Sequence, residues 1–390
     1  MIRLFICALL MISILACSQA PVCKPPVQCG SDQTEVYLPM LENRRIAVMA
    51  NQTTMVGNRH LVDTLVSLGI DVKKIFSAEH GFRGNEADGT LIKDGKDPVT
   101  GLPIISLYGK NRKPTPTQLS DIDIVVFDIQ DVGARFYTFI SSMHYLMEAC
   151  AENGKEFLVL DRPNPNGNYI DGPILEKGFE SFVGMHPVPV VHGMTVAEYA
   201  RMINGEGWLK DSLKCNLSWV PCKNYKHKSE YIPPVPPSPN LPNIQAIRLY
   251  PSLAFFEGTI VSEGRGTDFP FQVFGYPEFN GGDFEYTPIS RPGASVQPKF
   301  ENQKCKGIDL RGYLPEEGNW EGLRLEWLIQ AYNDSGDKGN FFKPYFEKLA
   351  GTDQFRKDIE AGLTIDEIKQ KWEKDLEEYQ ALRAKYVLYE

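Results

Sequence analysis

Residues 122–139 read IDIVVFDIQDVGARFYTF, an apolar run that turns abruptly polar. The run from Ile124 to Phe127 is β-branched and aromatic, and its near-continuous apolar character reads as a strand buried on both faces of a sheet. The residues that follow are Asp128, Gln130, Asp131, Arg135 and Tyr137, with Gly133 permitting a turn. An open α/β sheet binds its ligands outside the carboxyl ends of its strands. Hydrogen-bonding types alternating at such an end suit the hydroxyls and amides of a sugar. For Asp131 and Arg135, an ion pair closing a helix start is the competing reading.

Outward from this stretch the same pattern repeats. RRIAVMAN (44–51), VKKIFSAEHG (72–81), LPIISLYG (102–109) and EFLVLDRP (156–163) are further strand candidates. HLVDTLVSLG (60–69) and YTFISSMHYLMEACAENG (137–154) are helical patterns between them. Strands separated by helices imply an α/β fold, with a Rossmann-like parallel sheet spanning residues 35–240. The turn after the first strand, NQTTMVGN, lacks G-x-G-x-x-G, so no dinucleotide cofactor is expected. Thr195 and Glu198 form a capping box at a later helix. The chain then passes through LKCNLSWVPC (213–222) to YIPPVPPSPNLPN (231–243), whose prolines suggest a stiff crossing between lobes. A mixed α+β lobe is expected over residues 241–390, with a cleft between the two. Its first helix, IRLYPSLAFF (247–256), is expected to break near Pro251, and its last opens on a Thr364–Glu367 capping box.

The chain has 390 residues, of which 42% are hydrophobic, more than one compact core usually needs. A net charge of −9 argues against nucleic acid as a partner. Residues 1–16 have the grammar of a secretory signal, with Arg3 before an apolar run. Ile14-Leu15-Ala16-Cys17 resembles a lipobox, so lipidation at Cys17 is expected, with residues 17–34 as a tether; cleavage after Ala20 is the alternative. The protein is then exported and meets the membrane through a lipid anchor, facing the periplasm or the cell surface. Cys23 with Cys29, or Cys215 with Cys222, are the local options for disulfides.

Other polar groups fall at strand ends or in loops. Glu79, His80 and Arg83 follow KKIFSA, and a partly desolvated carboxyl at Glu79 suits a general acid, or else pairs with Arg83. DRPNPNG (161–167) is a rigid turn carrying Asp161, Arg162 and Asn164. His192 precedes a helix. Gly-rich FFEGTIVSEGRGTDFPFQVFG (255–275) holds Glu257, Glu263 and Arg265, where glycines permit close backbone approach. Asp128, Asp131, Asp161, His80 and His192 are a conceivable hard-metal set, but no H-x-H or H-x-x-x-H pair supports one.

The motifs SAEHGFRG, FDIQDVGARFYTF, DRPNPNG, HGMTVAEYARMIN, PSPNLPN and EGTIVSEGRGTDFPFQVFG together resemble a bacterial family of exo-acting β-N-acetylmuramidases of peptidoglycan turnover, long labelled a domain of unknown function. The resemblance runs from about Glu35 to Glu390. It implies release of N-acetylmuramic acid from the non-reducing end of muramyl saccharides, without a cofactor or metal. It also implies Glu79 as catalytic acid and Glu263, in preference to Glu257, as the second catalytic group, with Arg265 reading the lactyl carboxylate. Glycoside hydrolysis needs such a pair of groups. A glycan-binding lipoprotein without turnover and a metal-dependent hydrolase are the alternatives.

Overall fold

The computed structural model describes residues 25–79, 81–83, 94–315 and 320–390. The signal segment, Cys17, Cys23 and His80 lie outside the described residues. In chain order the strands of the first lobe are β1 (Arg45–Ala50), β2 (Met55–Val56), β3 (Arg59–His60), β4 (Asp71–Ser77), β5 (Gly95–Lys96), β6 (Pro103–Ser106), β7 (Ile124–Asp128), β8 (Glu156–Leu160) and β9 (Asn216–Val220). β2 and β3 form a small hairpin. The other seven make one sheet in the order β5-β6-β4-β1-β7-β8-β9. Every pairing in it is parallel except β5 with β6.

Two members of that sheet escape sequence reading. β9 lies within LKCNLSWVPC, which reads as a connection because Ser218 and the flanking Lys214 and Asn216 interrupt its apolar run. β5 is two exposed residues on an antiparallel edge.

Alternation along the central strands places Ala47, Met49, Val125 and Phe127 in one apolar cluster and Ile46, Val48, Ile124 and Val126 in another. Side chains of a strand point to opposite faces in turn, so both faces of the sheet are covered. The second cluster packs under Tyr37, Leu61 and Leu65. The first continues through helices Phe139–Glu152 and Val196–Glu206 into the second lobe, reaching Leu253, Phe256, Phe274 and Phe355. One core therefore joins both lobes.

The second lobe contains the antiparallel sheet β10 (Val273–Tyr276), β11 (Phe284–Tyr286) and β12 (Cys305–Asp309), in the order β10-β12-β11. Its first helix, Ile244–Leu253, runs through Pro251 instead of breaking there. Proline lacks the N–H that would bond the Ile247 carbonyl, but the Asn166 side-chain amide donates to that oxygen at 3.1 Å. The orphaned acceptor is satisfied from the other lobe, so the helix continues. Both capping boxes form, at Thr195–Glu198 and at Thr364–Glu367.

The end of the expected tether is not loose. The Gln28 and Lys223 backbones pair, the Gly30 amide donates to the Asp161 carbonyl at 2.7 Å, and Ser31 is fully buried. The five described cysteines are buried free thiols. Cys215 and Cys222 flank opposite ends of β9, and five extended residues hold them too far apart to bond.

Candidate active site

β4 ends at Ser77, and two residues on, Glu79 turns toward a cleft of about 560 Å³ between the lobes. Tyr108, just beyond β6, donates its hydroxyl to Glu79 Oε1 at 2.6 Å. Thr138, at the start of helix Phe139–Glu152, donates to Oε2 at 3.4 Å. Segments that follow β4, β6 and β7 at the carboxyl edge of the sheet thus bring two neutral hydroxyls onto one carboxyl group. The Tyr137 ring lines the same cleft while its hydroxyl donates to the Pro237 carbonyl at 2.9 Å, tying the floor to the proline-rich crossing.

The facing wall comes from the second lobe. Helix Ile244–Leu253 supplies Tyr250, and the 3₁₀ turn Ala254–Gly258 that follows it supplies Glu257. Arg265 also lines the cleft; its Nη2 contacts Glu257 at 2.9 Å, its Nε lies 3.3 Å from Glu263, and its plane lies over Phe271.

Glu263, expected at the reaction centre, is 3% exposed and does not line the cleft. Its carboxylate lies between Arg265 and Lys299 Nζ, the latter at 3.3 Å, so it supports Arg265 from behind. The role of the flanking glycines also changes. Gly264 and Gly266 adopt φ of +80° and +81°, and a Cβ on Gly266 would sit 2.6 Å from Pro298 Cγ and 2.7 Å from the Ile289 carbonyl. These glycines bring the loop against its own lobe, not against a ligand.

The other expected contacts, the half-buried Arg83 excepted, sit inside the protein, and each is held by specific partners. Arg162 forms a two-pronged ion pair with Asp128 at 2.6 and 2.9 Å. Asp161 accepts from Thr195, Tyr389 and the Ala197 amide, at the start of helix Val196–Glu206. Asp131 accepts from the Gly133 amide at 2.6 Å, and no ion pair to Arg135 forms. Burial raises the carboxyls of Asp131 and Asp161 to about 7. Gln130 donates to the Asp131 and Pro163 carbonyls, and Asn164 to the Met194 carbonyl. His192 accepts from the Met194 amide, and burial lowers it to about 3. Arg83 binds Asp63 and Asp97 rather than Glu79.

Arg135 is fully buried and donates to four carbonyls: Pro173 and Val188 of the first lobe, and Leu349 and Ala350 of the second. The last two end helix Tyr345–Ala350, so the guanidinium caps that helix and clamps one lobe to the other. Burial lowers Arg135 to about 10, still charged at neutral pH.

Sequence reading overlooked Tyr108, Arg112, Thr138, Phe182, Asn240, Tyr250 and Lys348, all of which line the cleft. The strand-end rule, applied to LPIISLYG, points to Tyr108. Nothing local marks Lys348 or Phe182, which arrive from distant chain. Among the described residues no three of His, Cys, Asp and Glu converge as a metal would require, and Asp128, Asp131, Asp161 and His192 are engaged as above.

Comparison with known proteins places this geometry. Two solved DUF1343 family proteins from Bacteroides fragilis NCTC 9343 superpose on it. One has a TM-score of 0.88 at 49% identity, covering 94% of this chain and 99% of its own. The other has a TM-score of 0.78 at 30% identity, covering 93% and 99%. The peptidoglycan β-N-acetylmuramidase NamZ of Bacillus subtilis (strain 168) is 38% identical over 387 residues, which is 94% of this chain and 92% of that protein. The family models for the N-terminal and C-terminal parts of exo-β-N-acetylmuramidase NamZ match residues 46–245 and 248–389, so the chain belongs to that family of glycoside hydrolases.

Proposed function

We propose that the protein removes N-acetylmuramic acid from the non-reducing end of peptidoglycan-derived saccharides. The observation that carries this reading is the pairing of Glu79 from one lobe with Glu257 from the other on the walls of one cleft. Hydrolysis of a glycoside needs one carboxyl group that delivers a proton to the leaving oxygen and a second that meets the opposite face of the sugar. Their surroundings divide the roles. Glu257 touches the Arg265 guanidinium, and a cation beside a carboxylate favours the charged form, whereas the Tyr108 and Thr138 hydroxyls at Glu79 add no charge of their own. Glu79 is then the acid and Glu257 the charged partner, which replaces Glu263 in that role.

Exo-action is supported by size. A cleft of about 560 Å³ falls in the range that encloses a small ligand, not a length of polymer. The test is to incubate the protein with muramyl disaccharide and with longer glycan, and to follow products by mass spectrometry. Free N-acetylmuramic acid released one unit at a time is expected; internal cleavage into mixed oligomers would refute the exo reading, and intact substrate would refute turnover altogether.

A further inference from the structure

N-acetylmuramic acid differs from its glucosamine parent by a lactyl ether ending in a carboxylate, and two acids already line the cleft. A substrate anion entering beside Glu79 and Glu257 needs compensating cations. Arg265 is poorly placed to provide one, because Glu257 and Glu263 both contact it already. Among the described residues, the other cations on the cleft wall are Arg112 and Lys348. Neither is in an ion pair among the described residues, and Lys348 is exposed.

Arg112, though exposed, is seated on an aromatic ring. Its guanidinium carbon lies 4.0 Å from the centroid of Phe182, and Phe182 is stacked in turn on Tyr145 with ring centroids 6.3 Å apart and planes at 17°. A guanidinium held against one ring face keeps N–H groups available to an acceptor on its open side. Stacking also fixes the side chain before a ligand arrives, which lowers the entropy lost on binding. That geometry matches a carboxylate, which accepts two parallel N–H bonds from one arginine.

We propose that Arg112, seated on Phe182 and assisted by the Lys348 ammonium, reads the lactyl carboxylate in place of Arg265. The assignment rests on the muramidase reading above and specifies which part of the cleft distinguishes muramic acid from its neutral relatives.

Calorimetric binding of N-acetylmuramic acid and of its lactyl amide tests it, using the wild-type protein and the Arg112→Gln, Lys348→Gln and Arg265→Gln variants. The wild type should prefer the acid over the amide. Arg112→Gln should weaken the acid about tenfold or more, as expected for a lost charge-assisted bidentate contact, and leave the amide nearly unchanged. Lys348→Gln should act in the same direction and less strongly. The proposal is overturned if Arg112→Gln keeps the preference, weakens both ligands equally, or if the preference disappears only in Arg265→Gln. Turnover is followed separately with an aryl β-muramide. A wild-type protein that prefers the acid but never cleaves this glycoside would defeat the hydrolase reading while leaving the Arg112 assignment standing.

Discussion

Two groups of charged residues lie at the carboxyl edge of the sheet or across the cleft from it, and they have opposite fates. Asp128, Asp131, Arg135, Asp161 and Arg162 are each less than 9% exposed, with carbonyls, amides or one another as partners. Glu79 and Glu257 come from comparable motifs but face open space. Residue type does not separate the groups; saturation and burial do. A carboxylate or guanidinium whose bonding capacity is met inside the fold holds elements together, and one facing a cleft can meet a substrate. The first group also builds the setting for the second, since Arg135 caps the helix that carries Tyr345 and Lys348 to the cleft wall.

The strongest way to break this comparison is Arg135→Met. Four buried carbonyls would lose their donor, at about 1 kcal/mol or more each, so a stability loss on the order of 4 kcal/mol is expected in urea denaturation. A loss below about 1 kcal/mol would mean that the clamp contributes little to joining the lobes.

Asp131→Asn sharpens it through pH. The folded state keeps the Asp131 proton up to about pH 7, while an unfolded aspartate releases it near its ordinary value of about 4. Between those values the native state binds more protons, so this group withdraws stability as pH rises from about 4 to about 7 and withdraws no more above that. Three units correspond to at most about 4 kcal/mol. His192, 3.9 Å away and lowered to about 3, works in the opposite direction, adding stability as pH rises from about 3 to about 6.5. Urea midpoints of Asp131→Asn should therefore rise relative to wild type across pH 4 to 7. Identical pH profiles would show that Asp131 ionises in place without cost.

Glu79→Gln should behave in the reverse manner, with unfolding little changed and turnover of muramyl disaccharide reduced about 10²-fold or more. An activated aryl leaving group needs less protonation and should be hurt less. Near-normal turnover in the folded variant would remove Glu79 from the acid role. The smallest effect is expected from Tyr108→Phe, which deletes the hydroxyl 2.6 Å from Glu79 and should slow turnover about fivefold to tenfold, as one lost hydrogen bond does. If stability drops and turnover does not, Tyr108 belongs with the structural group.

Much of the fold was legible. Near-continuous apolar runs in RIAVMA and IVVFD encode a sheet covered on both faces, and Thr195–Glu198 and Thr364–Glu367 encode two helix starts. These signals are local, because strand pleat and helix caps are set by residues a few positions apart. The same holds for Glu79 as a strand-end carboxyl near a ligand edge. Only tertiary structure decided that β9 joins the sheet, that Pro251 is tolerated because Asn166 reaches Ile247, and that Glu257 rather than Glu263 meets the cleft. The partner that satisfies or exposes a polar group is often far away in the chain, as Arg135 and Ala350, 215 residues apart, are. Burial and hydrogen-bond saturation depend on that distant partner, and the residue's own neighbours in the chain carry no record of it.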